Sequence, residues 1–216
     1  MNSLVVKQSK CQFGQTSVTY LGHIISSSIG QVDPKKIQSI ESWPLSFFLK
    51  EVHGFLGLTG YYRRFAKGYA QLASPLTNLL KKDSFVWSDK ASTTFFDLKR
   101  AFSSVSVLAL PDFSKVFFVK TNASGIGIGA VLSQEGHPIA FFSQKLSPRM
   151  QVTSTYTREI FAITQAVQKW HQYHLGRKFT IITDQQPLKS LTSQVIQTLE
   201  QQQWLCKLIG YNFEIV

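Results

Sequence analysis

The chain has 216 residues, 44% hydrophobic and 16% charged, with 23 Lys and Arg against 12 Asp and Glu for a formal net charge of +11. That apolar content excludes wholesale disorder, and the length suits one large or two small domains. The basic excess suits a polyanionic partner, most simply nucleic acid, and composition alone suits a merely soluble basic protein equally well.

In chain order, "KCQFGQTSVTYLGHIIS" alternates apolar and polar residues on both sides of Gly14, which predicts two short strands joined by a turn. In "VDPKKIQSIESWP", Asp33 is a good N-cap, Pro34 suits the first helical position, and Ile37, Ile40 and Trp43 recur at helical spacing before Pro44 stops the helix. Two or three more helices follow, with breaks expected near Gly57 to Gly60 and near Gly68. Residues 33–82 thus read as a small helical bundle with Lys and Arg at 35, 36, 50, 63, 64, 67, 81 and 82 against acids at 33, 41 and 51 only.

A helix over about 89–104 presents Phe95, Leu98 and Phe102 on one face. Pro111 marks a domain boundary, and three strands are predicted at 116–121, 127–134 and 138–143. A long helix, about 154–174, carries Tyr156, Ile160, Ile163, Val167 and Trp170 as its buried stripe. Strand "KFTIIT", a turn and short helix over "DQQPLKSL", a last helix "IQTLEQQQWLCKLIG" and strand "YNFEIV" complete the chain. No run of 18 apolar residues predicts a membrane span. The first ten residues lack the pattern of a signal peptide, and Cys11 and Cys206 fit neither a disulfide framework nor a zinc knuckle. An intracellular protein, cytoplasmic or nuclear and not secreted, is expected.

Three strands, a helix, a strand and further helices suit an RNase H-like domain, although other folds share that order. Cleavage of a phosphodiester by two metal ions needs several carboxylates around a pair of Mg²⁺ roughly 4 Å apart. The candidates are Glu159 on the long helix and Asp184 at the end of "TIIT". Their plain alternatives are a solvent-facing helix glutamate and a helix N-cap.

Over nearly its whole length the chain resembles the C-terminal part of a gypsy-type LTR-retrotransposon polyprotein, most similar to plant elements. "KCQFGQTSVTYLGHIIS" resembles the edge of the reverse-transcriptase palm where the primer is gripped; "DPKKIQSIESWP" and "EVHGFLGLTGYYRRF" resemble the thumb and connecting helices. "VLALPDF", "TNASGIGIGAVLSQEGHPIAFFSQKLSP", "STYTREIFAITQAVQKWHQYHLG" and "FTIITDQQPLKSL" resemble successive parts of the RNase H domain. The resemblance implies an α+β chain: a palm-edge hairpin over 1–32, a helical thumb and connection over 33–110, and an RNase H-like mixed sheet flanked by helices over 111–216.

It also implies cleavage of the RNA of RNA–DNA hybrids with two Mg²⁺ ions. Of the family's four metal-binding carboxylates, the second and third fall on Glu159 and Asp184. The first, in the family's T-D-A-S motif, is Asn122 here, and the fourth belongs to a segment beyond "YNFEIV". The polymerase carboxylates belong to the upstream palm. Impaired or absent cleavage, weak or absent Mg²⁺ binding and no polymerisation are therefore expected. The alternative is a host-adopted module that binds nucleic acid or a host protein without catalysis.

In "YYRRFAK", Arg63, Arg64 and Lys67 suit a nucleic-acid backbone, as do Lys35 and Lys36; the competing reading is core tyrosines beside a solvated basic edge. "GIGIGA" lacks the Lys-Ser or Lys-Thr of a phosphate loop and reads as a turn or bulge. His171 and His174 read as surface or capping residues.

Overall fold

The computed structural model describes Lys7, Cys11 and residues 13–45, 47–81, 85–185, 188 and 198–216. The short helix expected over 184–191 and the strand expected before Gly14 fall largely outside these residues, as does Lys82. The fold is mixed α+β, with two sheets among the described residues.

The first sheet has four antiparallel strands in the order β1 (Ser17–Tyr20), β2 (His23–Ser26), β3 (Ile29–Val32) and β4 (Leu108–Ala109). Its first hairpin turns at Leu21 and Gly22, both at positive φ, and not at Gly14. The turn is clamped from above: Tyr61 Oη donates to Leu21 O at 3.0 Å and Tyr62 Oη to Gly22 O at 3.2 Å. Such a clamp depends on residues forty positions away, which local alternation does not report.

Helix α1 (Pro34–Glu41) starts as expected, with Asp33 accepting from the Lys35 N–H. Helix α2 (Leu49–Tyr61) runs unbroken through Gly57 and Gly60, against expectation. Gly57 stands in open space, whereas Gly54 and Gly60 lie against neighbouring side chains. A Cβ at Gly54 would come within 3.1 Å of the Trp43 ring, and one at Gly60 within 3.5 Å of Tyr69 Oη. A 3-10 turn over Arg63–Phe65 follows, then α3 (Tyr69–Leu72) after Gly68 at φ +69°, α4 (Ser74–Leu79) and α5 (Asp89–Ser103). Ser88 caps α5 through the Ala91 N–H, and Phe95, Leu98 and Phe102 are buried on its inner face.

The second sheet has five strands in the order β7 (His137–Lys145), β6 (Gly127–Gln134), β5 (Phe117–Ala123), β8 (Lys178–Ile182) and β9 (Asn212–Ile215). β5 to β7 are antiparallel neighbours, and β8 and β9 join in parallel. The turn expected in "GIGIGA" is confined to Ser124–Ile126, and Gly127 and Gly129 lie within β6. A Cβ on Gly127 would meet the Gln71 amide, so this glycine admits a side chain from the helical segment.

Helix α6 (Pro148–Gln151) precedes α7 (Thr155–Lys169), which buries Ile160, Ile163 and Val167 against the sheet. The expected long helix stops at Trp170, φ −114°, whose ring packs edge-on to Phe142, and resumes only as α8 (His171–His174). His174 is not at the surface. It is 1% exposed and stacks on Phe179 at 4.0 Å. A histidine at the end of an amphipathic helix falls on whichever face the stripe dictates, and here the stripe carries it inward. Helix α9 (Leu199–Cys206) packs Trp204 on Phe161.

Buried apolar side chains form one core from Val32 to Leu108 and another from Phe117 to Leu208, with a small satellite around Ile128 and Leu146. Phe141 of β7 packs on the first core, and Ala109 of β4 on the second. Ser143 Oγ accepts from the Ala70 N–H, and Gln71 donates to Ile128 O, so the helical segment lies on the face of β6 and β7 opposite α7.

Candidate functional site

The site is assembled at one end of the five-stranded sheet. On β5 the two-residue repeat buries Phe117, Val119 and Thr121 and exposes Lys120 and Asn122. β8 runs parallel to β5 with Lys120 opposite Ile182, so Asp184, two residues past the ladder, emerges beside Asn122. Both side chains are exposed and line one cleft of about 520 Å³. Lys67 and Gln71 from the helical segment and Lys120 from β5 line the same cleft.

Glu159 approaches from α7. It is 5% exposed, and Oε1 accepts the Ala123 N–H at 2.7 Å, directly after Asn122. Oε2 is buried without a partner among the described residues. Burial holds this carboxyl above the usual carboxylate range; the Ala123 N–H opposes that shift, the charge of Asp184 adds to it, and Arg158 offsets part. The Arg158 guanidinium donates to Gln151 O, Thr153 O and Thr155 Oγ1 and makes no ion pair with Glu159. The expected solvent-facing alternative for Glu159 is therefore excluded: this glutamate points into the fold.

A pair of Mg²⁺ ions asks for several anionic oxygens from separate elements. The donor set here is one exposed carboxylate, Asp184, one buried carboxyl, Glu159, and the amide of Asn122. Among the described residues no group of three or more His, Cys, Asp and Glu side chains has metal-ligand geometry. Among the described residues the set supplies two carboxyls, fewer anionic oxygens than a pair of Mg²⁺ ions asks for.

The basic residues lie elsewhere. Lys35 and Lys36 are exposed on the first turn of α1, Arg63 and Arg64 are exposed in the 3-10 turn, and Lys67 alone faces the Asn122 cleft. Of "YYRRFAK", Tyr62 is 1% exposed and Tyr61 52%, so the two tyrosines divide between core and surface. Sequence reasoning missed Lys120. Its place two residues before Asn122 on a strand puts it on the same face, and that period was readable. Gln71 carried no such signal.

Residues 87–181 match the model of the RNase H-like domain found in reverse transcriptase. The chain is 38% identical over 99% of its length to the retrovirus-related Pol polyprotein from transposon 297 of Drosophila melanogaster, and 40% identical over 85% to that from transposon gypsy. The chain is thus similar, over almost all of its length, to a segment of LTR-retrotransposon Pol polyproteins. It spans about a fifth of the length of those two Pol polyproteins, 20% and 19%. An uncharacterised mitochondrial protein of Arabidopsis thaliana is 46% identical over 52% of the chain, which covers 73% of that relative.

Among the solved structures that share the fold of this chain are two foamy viral enzymes. A foamy viral protease-reverse transcriptase, the dRH form in complex with double-stranded DNA, matches with a TM-score of 0.82 and 19% identity, over 94% of this chain and 38% of that one. The foamy viral protease-reverse transcriptase in complex with an RNA/DNA hybrid matches with a TM-score of 0.79 and 19% identity, over 93% and 29%.

Proposed function

We propose that this Pol-like segment binds nucleic acid, an RNA–DNA hybrid in its ancestral role, and cleaves it poorly or not at all. The observation that carries the reading is Asn122. It stands at the cleft beside Asp184 and one residue before the amide that holds Glu159. An amide matches a carboxylate in shape, so the fold accepts it, but it brings no charge to draw a divalent cation. Loss of one such contact in a preorganised site amounts to about 3–4 kcal/mol of transition-state stabilisation, or about a thousandfold in rate. The exposed lysines and arginines and the net charge of +11 support the binding half of the reading. The complexes named for the foamy viral enzymes, with double-stranded DNA and with RNA/DNA hybrid, support it as well.

A Mg²⁺-dependent cleavage assay on a labelled RNA–DNA hybrid tests the catalytic half. Little or no product is expected. Robust cleavage that vanishes on Glu159→Gln would overturn the reading.

A second reading, a host-encoded binding module derived from a plant element, is favoured by the Arabidopsis relative, of which the chain covers 73%. It shares the absence of catalysis and differs in partner. Hybrid binding that is no tighter than binding to an acidic protein surface would favour it.

A further inference from the structure

A second cleft, of about 330 Å³, opens beside the edge strand β7, between the 3-10 turn and the C-terminal end of α7. Its walls include Tyr61, Arg63, Arg64, Phe141, Lys169 and Tyr173, and among the described residues no acidic side chain lines it. Arg63, Arg64 and Lys169 are exposed, and among the described residues none of them takes part in an ion pair. Arg64 is partly fixed. One guanidinium nitrogen donates to Ile139 O at 3.3 Å, and Ile139 is the extra residue of a bulge between Leu132–Ala140 and Ser133–Pro138. The same guanidinium lies 5.7 Å from the Phe65 ring centroid, and Arg64 lines the cleft.

Three cations with no counter-charge around one concavity create a positive potential that an anion relieves. Guanidinium forks match the oxygens of a phosphate, and Lys adds a point charge. Tyr61, half exposed, offers a ring on which a base can stack. The cleft also continues the basic face of α1. Tyr61 bonds to Leu21 O, and a Cβ on the next residue, Gly22, would lie 3.7 Å from the Lys36 side chain.

We propose that this cleft holds a backbone phosphate of a nucleic-acid strand, with Lys169 extending the track of Lys36, Arg63 and Arg64 onto the RNase H-like part. The proposal rests on the nucleic-acid-binding reading above and adds a site and a residue to it. The cleft lies at the edge of the sheet, and neither Asn122, Glu159 nor Asp184 lines it.

The test is fluorescence anisotropy of a labelled single-stranded oligonucleotide and of an RNA–DNA hybrid across a salt series. The full chain is compared with Arg63→Gln/Lys169→Gln and with Lys35→Gln/Lys36→Gln. All four positions are exposed, and melting temperatures within a degree or two of the parent's confirm the fold. The Arg63→Gln/Lys169→Gln variant is expected to bind about tenfold more weakly near 50 mM salt. Its log–log salt slope should be shallower by about 1.4 for the single strand, two phosphates' worth. Arg63→Lys should recover part of the loss.

Unchanged affinity and slope in that variant, with loss confined to Lys35→Gln/Lys36→Gln, overturns the cleft and leaves nucleic-acid binding standing. No binding by the parent chain overturns the binding reading itself. In that case a melt with tripolyphosphate decides the cleft: stabilisation abolished by Arg63→Gln/Lys169→Gln marks a small-phosphate site and not a strand contact. Equal competition by polyglutamate overturns the preference for phosphate.

Discussion

Glu159 shows how a single side chain is set by its surroundings. Its carboxyl is buried, half-satisfied and close to a like charge, so the folded state holds its proton more tightly than the unfolded chain. Stability is then lost as pH rises from the ordinary carboxylate range through the raised folded value. At neutral pH the charge is a liability. Glu159→Gln keeps the acceptor for the Ala123 N–H and removes that charge, so its melting temperature at pH 7 should exceed the parent's by about 2–4 °C, the response to about 1 kcal/mol in a chain of this size. A melt of the two proteins checks it, and an equal or lower value for the variant would show that Glu159 is compensated.

His174 has the opposite sign. Burial, then the charge of His171, lowers its pKa to about 4, and neither ring nitrogen has a partner among the described residues. The unfolded chain takes up a proton first, so stability should fall as pH drops from about 6.5 to about 4 and then level for this group. The contribution is up to about 3 kcal/mol. Denaturant titrations of the parent and His174→Phe at pH 7 and pH 4.5 should show a smaller loss in the variant. Sequence alone placed Glu159, Asp184 and Asn122 in order through resemblance, but it could not orient them. Burial of Glu159 depends on how α7 meets the sheet, which no local pattern carries, whereas His174 follows the apolar stripe inward.

At the scale of elements, local chemistry was legible wherever a cap or a two-residue repeat was decisive. Asp33 and Ser88 cap α1 and α5, and β5 to β8 fall within a few residues of their expected positions. Misreadings arose where a distant partner overrides a local preference. Gly60 reads as a breaker because its closeness to Tyr69 is invisible in a window of ten residues, and Gly57 is carried in open space inside the helix. β4 was missed because a two-residue strand gains its meaning only from pairing with β3 across some eighty residues of chain, and β3 is a four-residue strand between β2 and that distant partner.

The Leu21–Gly22 turn condenses this dependence. Gly22 has φ +77°, and a Cβ there would lie 2.2 Å from the hydroxyl of Tyr62, whose ring is buried. Gly22→Ala should therefore cost about 2 kcal/mol or more through backbone strain and displacement of the clamp. A urea midpoint unchanged within error would contradict the clamp as a structural element.

At the scale of the molecule, charge and topology act together. The helical segment and the RNase H-like part share contacts through β7, and their exposed cations span both. Binding to a hybrid duplex should therefore weaken steeply with salt. Replacing Lys35 and Lys36 by Gln should lower the log–log slope by about 1.8 without changing sequence preference, because phosphate contacts carry no base information. A binding constant flat from low to physiological salt would contradict that account.

On the reading proposed above, Asn122 deprives the end of the central strand β5 of a charge that a divalent cation would need. A thermal melt with and without Mg²⁺, on the parent chain and on Asn122→Asp, tests it most directly. Three carboxylates without a cation repel one another, so the variant should melt below the parent in EDTA and recover on adding Mg²⁺, while the parent stays unmoved. A parent stabilised by Mg²⁺ as much as the variant, or a variant that Mg²⁺ does not shift, would contradict the account.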